Sequence, residues 1–173
     1  MSYDLTDALT FARRAHAGQT RRDGVTPYLV HPVTVLCLMR ETFGPQRPAL
    51  EAAALLHDTV EDCGVTADEL AGRFDADVAA LVVAVTKSPR PAGVDKAAHH
   101  AADYARLYAP GRCPDEVIVL KASDRLANLS ELPPRGDAFT ERYLADTQVL
   151  IDTMAGRCPP ALRDALARVG GVL

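Results

Sequence analysis

The sequence lacks any stretch long enough to cross a bilayer. Its longest apolar runs, around Val78 to Val85 and Val117 to Leu120, fall far short of the roughly 20 residues a spanning helix needs. It also lacks an N-terminal basic region followed by an apolar run, so no secretory signal is read there. Both absences lead us to expect a soluble, cytoplasmic protein with no membrane partner. Cysteine is sparse and scattered: Cys37, Cys63, Cys113 and Cys158 make no CxxC pair and repeat no spacing. Neither a zinc knuckle nor a disulfide framework is expected, and free thiols in a reducing compartment are. Basic charge is in short supply as well. A formal net charge of −4 argues against general nucleic-acid binding, which needs a basic surface to displace counterions. An anionic ligand must then be drawn by a local feature, either the cluster Arg13, Arg14, Arg21 and Arg22 or a bound cation. Finally, no glycine-rich phosphate loop and no nucleophile elbow is present, which speaks against a kinase and against a covalent serine mechanism.

What is there suits a packed globular chain. With 173 residues, 48% hydrophobic and 24% charged, residues 1–173 read as one domain. Leu5, Ala8, Leu9, Ala12 and Ala15 recur at helical spacing, predicting a helix from about Asp4 to His16. A polar loop from Gly18 to Tyr28 leads to His31-Pro32, where proline suits the first turn of a second helix reaching about Thr42. A third helix from about Ala49 carries the run Ala52 to Leu56 and then His57-Asp58. Thr66 with Glu69 is a capping-box pattern opening a short helix to Phe74, and Asp75 or Asp77 opens another to Thr86. Beyond the breaker-rich Ser88 to Gly93, helices are predicted over Asp95 to Tyr108, Pro114 to about Leu132, Asp137 to Met154 and Pro159 to Val169. Pro133-Pro134-Arg135-Gly136 is read as the end of the long one. Only Val117 to Leu120 competes as a buried strand. The expectation is an all-α, compact single-domain helical bundle.

The densest chemistry lies in His57-Asp58-Thr59-Val60-Glu61-Asp62, directly after an apolar run. On a helix His57 and Glu61 share a side, as do Asp58 and Asp62. An adjacent His and Asp can both reach one cation from a helix end, and imidazole with carboxylate suits a divalent transition metal. Two ligands do not hold such an ion firmly, and His31 and Asp124 are the best candidates for the rest. His31 sits at a loop-to-helix junction. Asp124 lies in an otherwise apolar helix, within a stripe of Lys121, Asp124, Arg125 and Asn128 that needs either water or a polar cavity. Taken singly, the acidic run is an ordinary solvated helix end, the stripe an ordinary exposed face, and His31 a helix-start residue. Their joint order, His-Pro, then His-Asp with Glu-Asp, then Asp-Arg, favours a site. The neighbouring His99 and His100 read as solvated rather than as a second metal site.

This pattern resembles the hydrolase domain of the RelA/SpoT alarmone family, particularly its small stand-alone hydrolases. The matching segments are Ala15 to Arg22, Pro27 to Pro32, Leu55 to Asp62 and Val119 to Leu129. The resemblance implies an HD-type phosphohydrolase fold, with His31, His57, Asp58 and Asp124 as ligands to one metal, usually manganese (Mn2+). It also implies that Glu61 and Asp62 carry out hydrolysis, that Asn128 contacts the nucleotide, and that Arg21 or Arg22 belongs to the basic loop beside base and phosphates. Lys121, on the same stripe as Asn128, joins the candidate substrate contacts. The chain departs from the family at Asp23-Gly24-Val25-Thr26, where a lysine often follows the arginine, and at Ala127, Ser130 and Glu131. The implied activity is removal of the 3′-pyrophosphate of guanosine tetraphosphate or pentaphosphate, giving GDP or GTP. The alternatives are an HD phosphatase for another nucleotide such as NADPH and a non-catalytic nucleotide-sensing module.

Overall fold

The computed structural model of the protein describes residues 4–133 and 137–171. Its elements are α1 (Leu5–Ala15), α2 (Val30–Phe43), α3 (Pro48–Leu56), α4 (Thr59–Cys63), α5 (Ala67–Arg73), α6 (Ala76–Val85), α7 (Lys96–Tyr108), α8 (Asp115–Ser130), α9 (Ala138–Met154) and α10 (Pro160–Gly170), with a short 3₁₀ turn at Ala155–Arg157. Among the described residues there is no β-strand, only an isolated bridge between Thr20 and Pro27. Val117 to Leu120 is helical, so the all-α expectation holds. The break expected at Pro133-Pro134-Arg135-Gly136 lies, for residues 134–136, outside the described residues. No helix among those described is long and apolar enough to cross a membrane.

Helix starts follow the local signals. Asp4, Asp75, Asp95 and Asp137 each accept a hydrogen bond from a backbone N–H in the first turn of the helix that follows. The Thr66–Glu69 capping box forms in full. One boundary departs from expectation. The third helix stops at Leu56, and His57-Asp58 form a turn before α4 begins at Thr59. Side chains bonding back to the last carbonyls make that turn: His57 Nδ1 lies 2.9 Å from the Ala54 oxygen, and Thr59 Oγ1 donates to Leu56 at 2.8 Å.

The chain forms two compact units, Met1–Thr86 and Lys87–Leu173. In the first, α3 lies against α1, α2 and α6. Every residue from Ala49 to Leu56 is buried, as befits a helix that is apolar but for one residue. The one charge on α3, Glu51, is received by Arg40 of α2 in a two-pronged pair of 2.8 and 2.5 Å, which holds its carboxyl below the usual carboxylate range. In the second unit α9 packs on α7, and α10 packs on α8 and α9. Tyr104, Tyr108, Leu120, Leu150, Met154 and Leu162 fill its interior.

Candidate functional site

The loop between α1 and α2 is ordered by its own hydrogen bonds. Arg21 N–H donates to Thr26 at 2.7 Å and Tyr28 N–H to Gln19 at 3.0 Å. Asp23 clasps the tip, accepting from the backbone of Val25 and Thr26 at 2.9 Å each and from the Thr26 hydroxyl at 2.6 Å. Gly24 completes the turn in a left-handed conformation (φ 72°) that a side chain would strain. The tip therefore presents Arg21 and Arg22 from a fixed backbone. Arg21 is half-buried, with its guanidinium 5.4 Å from the centroid of the Tyr28 ring, and Arg22 is exposed.

Past that loop, the start of α2 buries His31 and the end of α3 buries His57. Their rings meet edge to face at 5.2 Å. The Ala54 carbonyl can only accept, so His57 Nδ1 carries the proton and, in the neutral ring, Nε2 presents a lone pair. That Nε2 lies 3.0 Å from Asp58 Oδ2, and His31 Nε2 lies 3.5 Å from the same oxygen. A lone pair facing a carboxylate oxygen at 3.0 Å calls for a positive charge between them. Ligand atoms about 2.1 Å from one ion and at right angles to each other stand about 3.0 Å apart, so this spacing fits a shared metal. His31 and His57 are both buried, and each offers a ring nitrogen able to ligate one.

Glu61 and Asp62 stand exposed on α4. Asp62 is drawn to Asp58 by the Tyr28 hydroxyl, which lies 2.6 Å from Asp58 Oδ2 and 3.2 Å from Asp62 Oδ2. The Tyr28 ring in turn stacks on His16, with centroids 4.6 Å apart. His16 Nδ1 is 2.8 Å from Gln19 Oε1 and 3.2 Å from the Cys63 sulfur. Burial, aided by the nearby Asp62 charge, pushes the Cys63 thiol up, which keeps it protonated. Tyr28, His16 and Gln19 all fall inside or beside the matched segments, yet no spacing in the sequence singles them out.

In the second unit the stripe on α8 is buried rather than exposed. Lys121, Asp124 and Arg125 are all inaccessible and Asn128 is half-buried. Asp124 Oδ2 accepts from Lys121 Nζ at 2.7 Å, and Oδ1 accepts from Asn128 Nδ2 at the same distance. Burial opposes the Lys121 charge, but the Asp124 carboxylate outweighs it and raises the ammonium above its ordinary value. Arg125 donates to Asp146 at 3.0 Å, to Thr147 at 3.1 Å and to the Tyr104 hydroxyl at 2.6 Å, with its guanidinium 4.6 Å from the Tyr143 ring centroid. Asp146 also accepts from the Tyr104 hydroxyl at 2.6 Å and lies 3.0 Å from His100 Nδ1. Burial would lift the Asp146 carboxyl, but His100, Arg125 and Tyr104 hold it well below the usual carboxylate range. His99 and His100 are part-buried, and each has a partner: His99 Nε2 lies 2.9 Å from the Ser88 carbonyl and His100 Nδ1 lies 3.0 Å from Asp146. The adjacent positions are splayed, as expected, but each side chain finds its own partner.

Comparison with known proteins shows the family. The HD domain family matches residues 8–158. A guanosine-3′,5′-bis(diphosphate) 3′-pyrophosphohydrolase of Vibrio cholerae is 37% identical over 130 residues, 74% of this chain and 18% of that protein. The bifunctional (p)ppGpp synthase/hydrolase SpoT of Escherichia coli K12 is 35% identical over 153 residues, 88% of this chain and 21% of its own length. The chain therefore spans about a fifth of the length of these curated relatives. Among solved structures, a metazoan ortholog of SpoT that hydrolyses ppGpp superposes with a TM-score of 0.81 at 22% identity, with both chains covered in full. The lmo0812 protein of Listeria monocytogenes EGD-e gives 0.65 at 22% identity, over 84% of this chain and 95% of that one.

Proposed function

The chain belongs to the HD domain family, and from that premise we propose that it is a metal-dependent phosphohydrolase that removes the 3′-pyrophosphate of guanosine tetraphosphate or pentaphosphate. Residues 1–173 act as one HD-type hydrolase domain in this reading, and four free cysteines suit a cytoplasmic setting. The observation that carries it is His57 Nε2 set 3.0 Å from Asp58 Oδ2, two ligand-type atoms at the spacing of neighbours around one cation. His31, His57, Asp58 and Asp124 are proposed as the ligands, and Mn2+ as the ion, since two imidazoles with two carboxylates form a mixed nitrogen and oxygen set. When bound, such an ion lowers the pKa of a water and polarises the phosphorus centre.

The chain's own residues do the rest. The Ala54 carbonyl fixes the His57 tautomer, so that Nε2 is the ring atom turned toward the ion. Glu61 and Asp62, exposed beside Asp58, orient the attacking water and handle its protons. Arg21 and Arg22 grip the phosphates with paired N–H groups from the Asp23-clasped tip. Lys121 and Asn128, both hydrogen-bonded to Asp124, are the contacts proposed on α8.

Substrate choice is tested by steady-state kinetics on Arg21→Ala and Arg22→Ala with guanosine tetraphosphate and with a small chromogenic phosphate ester. Loss of a charge-assisted hydrogen bond is worth roughly 1.5 to 3 kcal/mol, or about one to two decades in kcat/KM. We expect that loss with the alarmone and a much smaller one with the ester. Equal losses on both would remove the loop from substrate binding. Turnover of NADPH but not of the alarmone by the wild-type protein would keep the phosphohydrolase and change its substrate.

A further inference from the structure

Tyr28 joins three parts of the first unit. Its ring stacks on His16 and lies beside the Arg21 guanidinium. Its backbone is tied at both ends, through its N–H to Gln19 at 3.0 Å and through its carbonyl from His31 N–H at 2.9 Å. Gln19 reinforces the arrangement by meeting His16 at 2.8 Å and donating to the Asp62 carbonyl at 3.3 Å. The hydroxyl is thereby delivered to a fixed point between two carboxylates, 2.6 Å from Asp58 Oδ2 and 3.2 Å from Asp62 Oδ2. A phenol has one proton to donate. It serves one carboxylate well at a time, and these distances assign it to Asp58.

Asp58 Oδ2 is also the oxygen that faces both imidazoles. A divalent ion held there draws electron density from that oxygen and weakens it as a hydrogen-bond acceptor. Asp62 keeps its full charge, and hydrogen bonds to ionised acceptors are about twice as strong as neutral ones. Resting on the metal site described above, we propose that Tyr28 is a positioning residue whose hydroxyl passes its hydrogen bond from Asp58 to Asp62 when a cation occupies Asp58. The longer contact to Asp62, 3.2 Å in this structure, then becomes the hydroxyl's main bond and aims that carboxylate more firmly in the loaded enzyme. The hydroxyl competes with the cation for Asp58 instead of supporting it, and hydrolytic readiness is tied to metal occupancy.

Tyr28→Phe removes the hydroxyl and keeps the ring against His16 and Arg21. The measurements are calorimetric titration of Mn2+ into the metal-free protein, the tyrosine ultraviolet difference spectrum on Mn2+ addition, and kcat and KM for guanosine tetraphosphate and p-nitrophenyl phosphate. We expect Mn2+ affinity equal to or tighter than wild type, loss of the metal-induced tyrosine difference band, kcat lower by about tenfold or more, and KM within about threefold. In an Asp62→Asn background, Tyr28→Phe should add less than about threefold to the loss in kcat, because the hydroxyl acts through Asp62. A hydrogen bond that merely supports a metal ligand has the opposite sign, since its removal weakens metal binding about 10- to 100-fold. Weakened Mn2+ binding, an unchanged difference band or an undiminished kcat overturns the proposal. His57→Ala, run alongside, separates the two readings. Mn2+ binding that survives in it overturns the metal site and the role of Tyr28 together. Binding lost there but weakened in Tyr28→Phe overturns the role of Tyr28 alone.

Discussion

A single histidine shows how much one residue's surroundings decide. His57 follows a run of small and apolar residues, and its ring is committed at Nδ1 by a carbonyl three positions back. That bond leaves only Nε2 for chemistry and turns it to Asp58. The acidic residues that follow have a different character. Glu61 and Asp62 are exposed, and their proposed work is on protons and water rather than on the ion. Glu61→Gln and Asp62→Asn should therefore both keep stoichiometric Mn2+ binding, while at least one loses about 100- to 10,000-fold in kcat, the usual range for general acid–base catalysis. Metal analysis beside steady-state kinetics reads both quantities. Near-wild-type turnover in both variants would take the pair out of the mechanism. Tyr28 was not legible as part of this site, because its hydroxyl partners lie 30 and 34 residues further along the chain and no local pattern encodes such a contact.

At the scale of the element, most helix boundaries were legible because the chain writes them locally. Asp75, Asp95 and Asp137 cap helices whose starts the apolar periodicity also marks, and Thr66 with Glu69 does so reciprocally. The turn at His57-Asp58 was not, since it contains neither glycine nor proline and arises from side chains bonding back to carbonyls. The buried stripe on α8 was half legible: its polarity was plain, but its partners come from α7 and α9. Arg125 reaches Asp146 and Tyr104, each 21 residues away, and is nearly inaccessible to water. Breaking such a buried pair costs roughly 3 to 5 kcal/mol, so Asp146→Asn should lower stability by about 3 kcal/mol near neutral pH, Asp146 being partly exposed. The Asp146 carboxyl is depressed in the folded protein. Its contribution is therefore present above the unfolded value of about 3.9 and is lost as pH falls below it toward the folded value. Urea unfolding of wild type and variant should show a gap at pH 7 that narrows at pH 3. An equal gap at both would mean that the Asp146 charge contributes nothing.

For the whole molecule, the class of fold and the family were within reach of the sequence. Helical periodicity and the ordered motifs His31-Pro32, His57-Asp58, Glu61-Asp62 and Asp124-Arg125 are spread over much of the region that the HD domain family matches. The division into two compact units at Thr86 and Lys87 has no mark in the composition, since helices alternate on both sides of it without a distinct linker. A net charge of −4 on the whole chain also means that the proposed anionic substrate has to be drawn by local charge, for which the Arg21-Arg22 tip and a cation are the proposed sources. The central claim is thus that hydrolysis of the alarmone depends on the metal. The most direct measurement incubates guanosine tetraphosphate with metal-stripped and Mn2+-reconstituted protein and separates the products by chromatography. The account predicts GDP and pyrophosphate in equal amounts from the reconstituted protein and no turnover from the stripped one. Intact alarmone after incubation with reconstituted protein, or equal turnover without the metal, would contradict it.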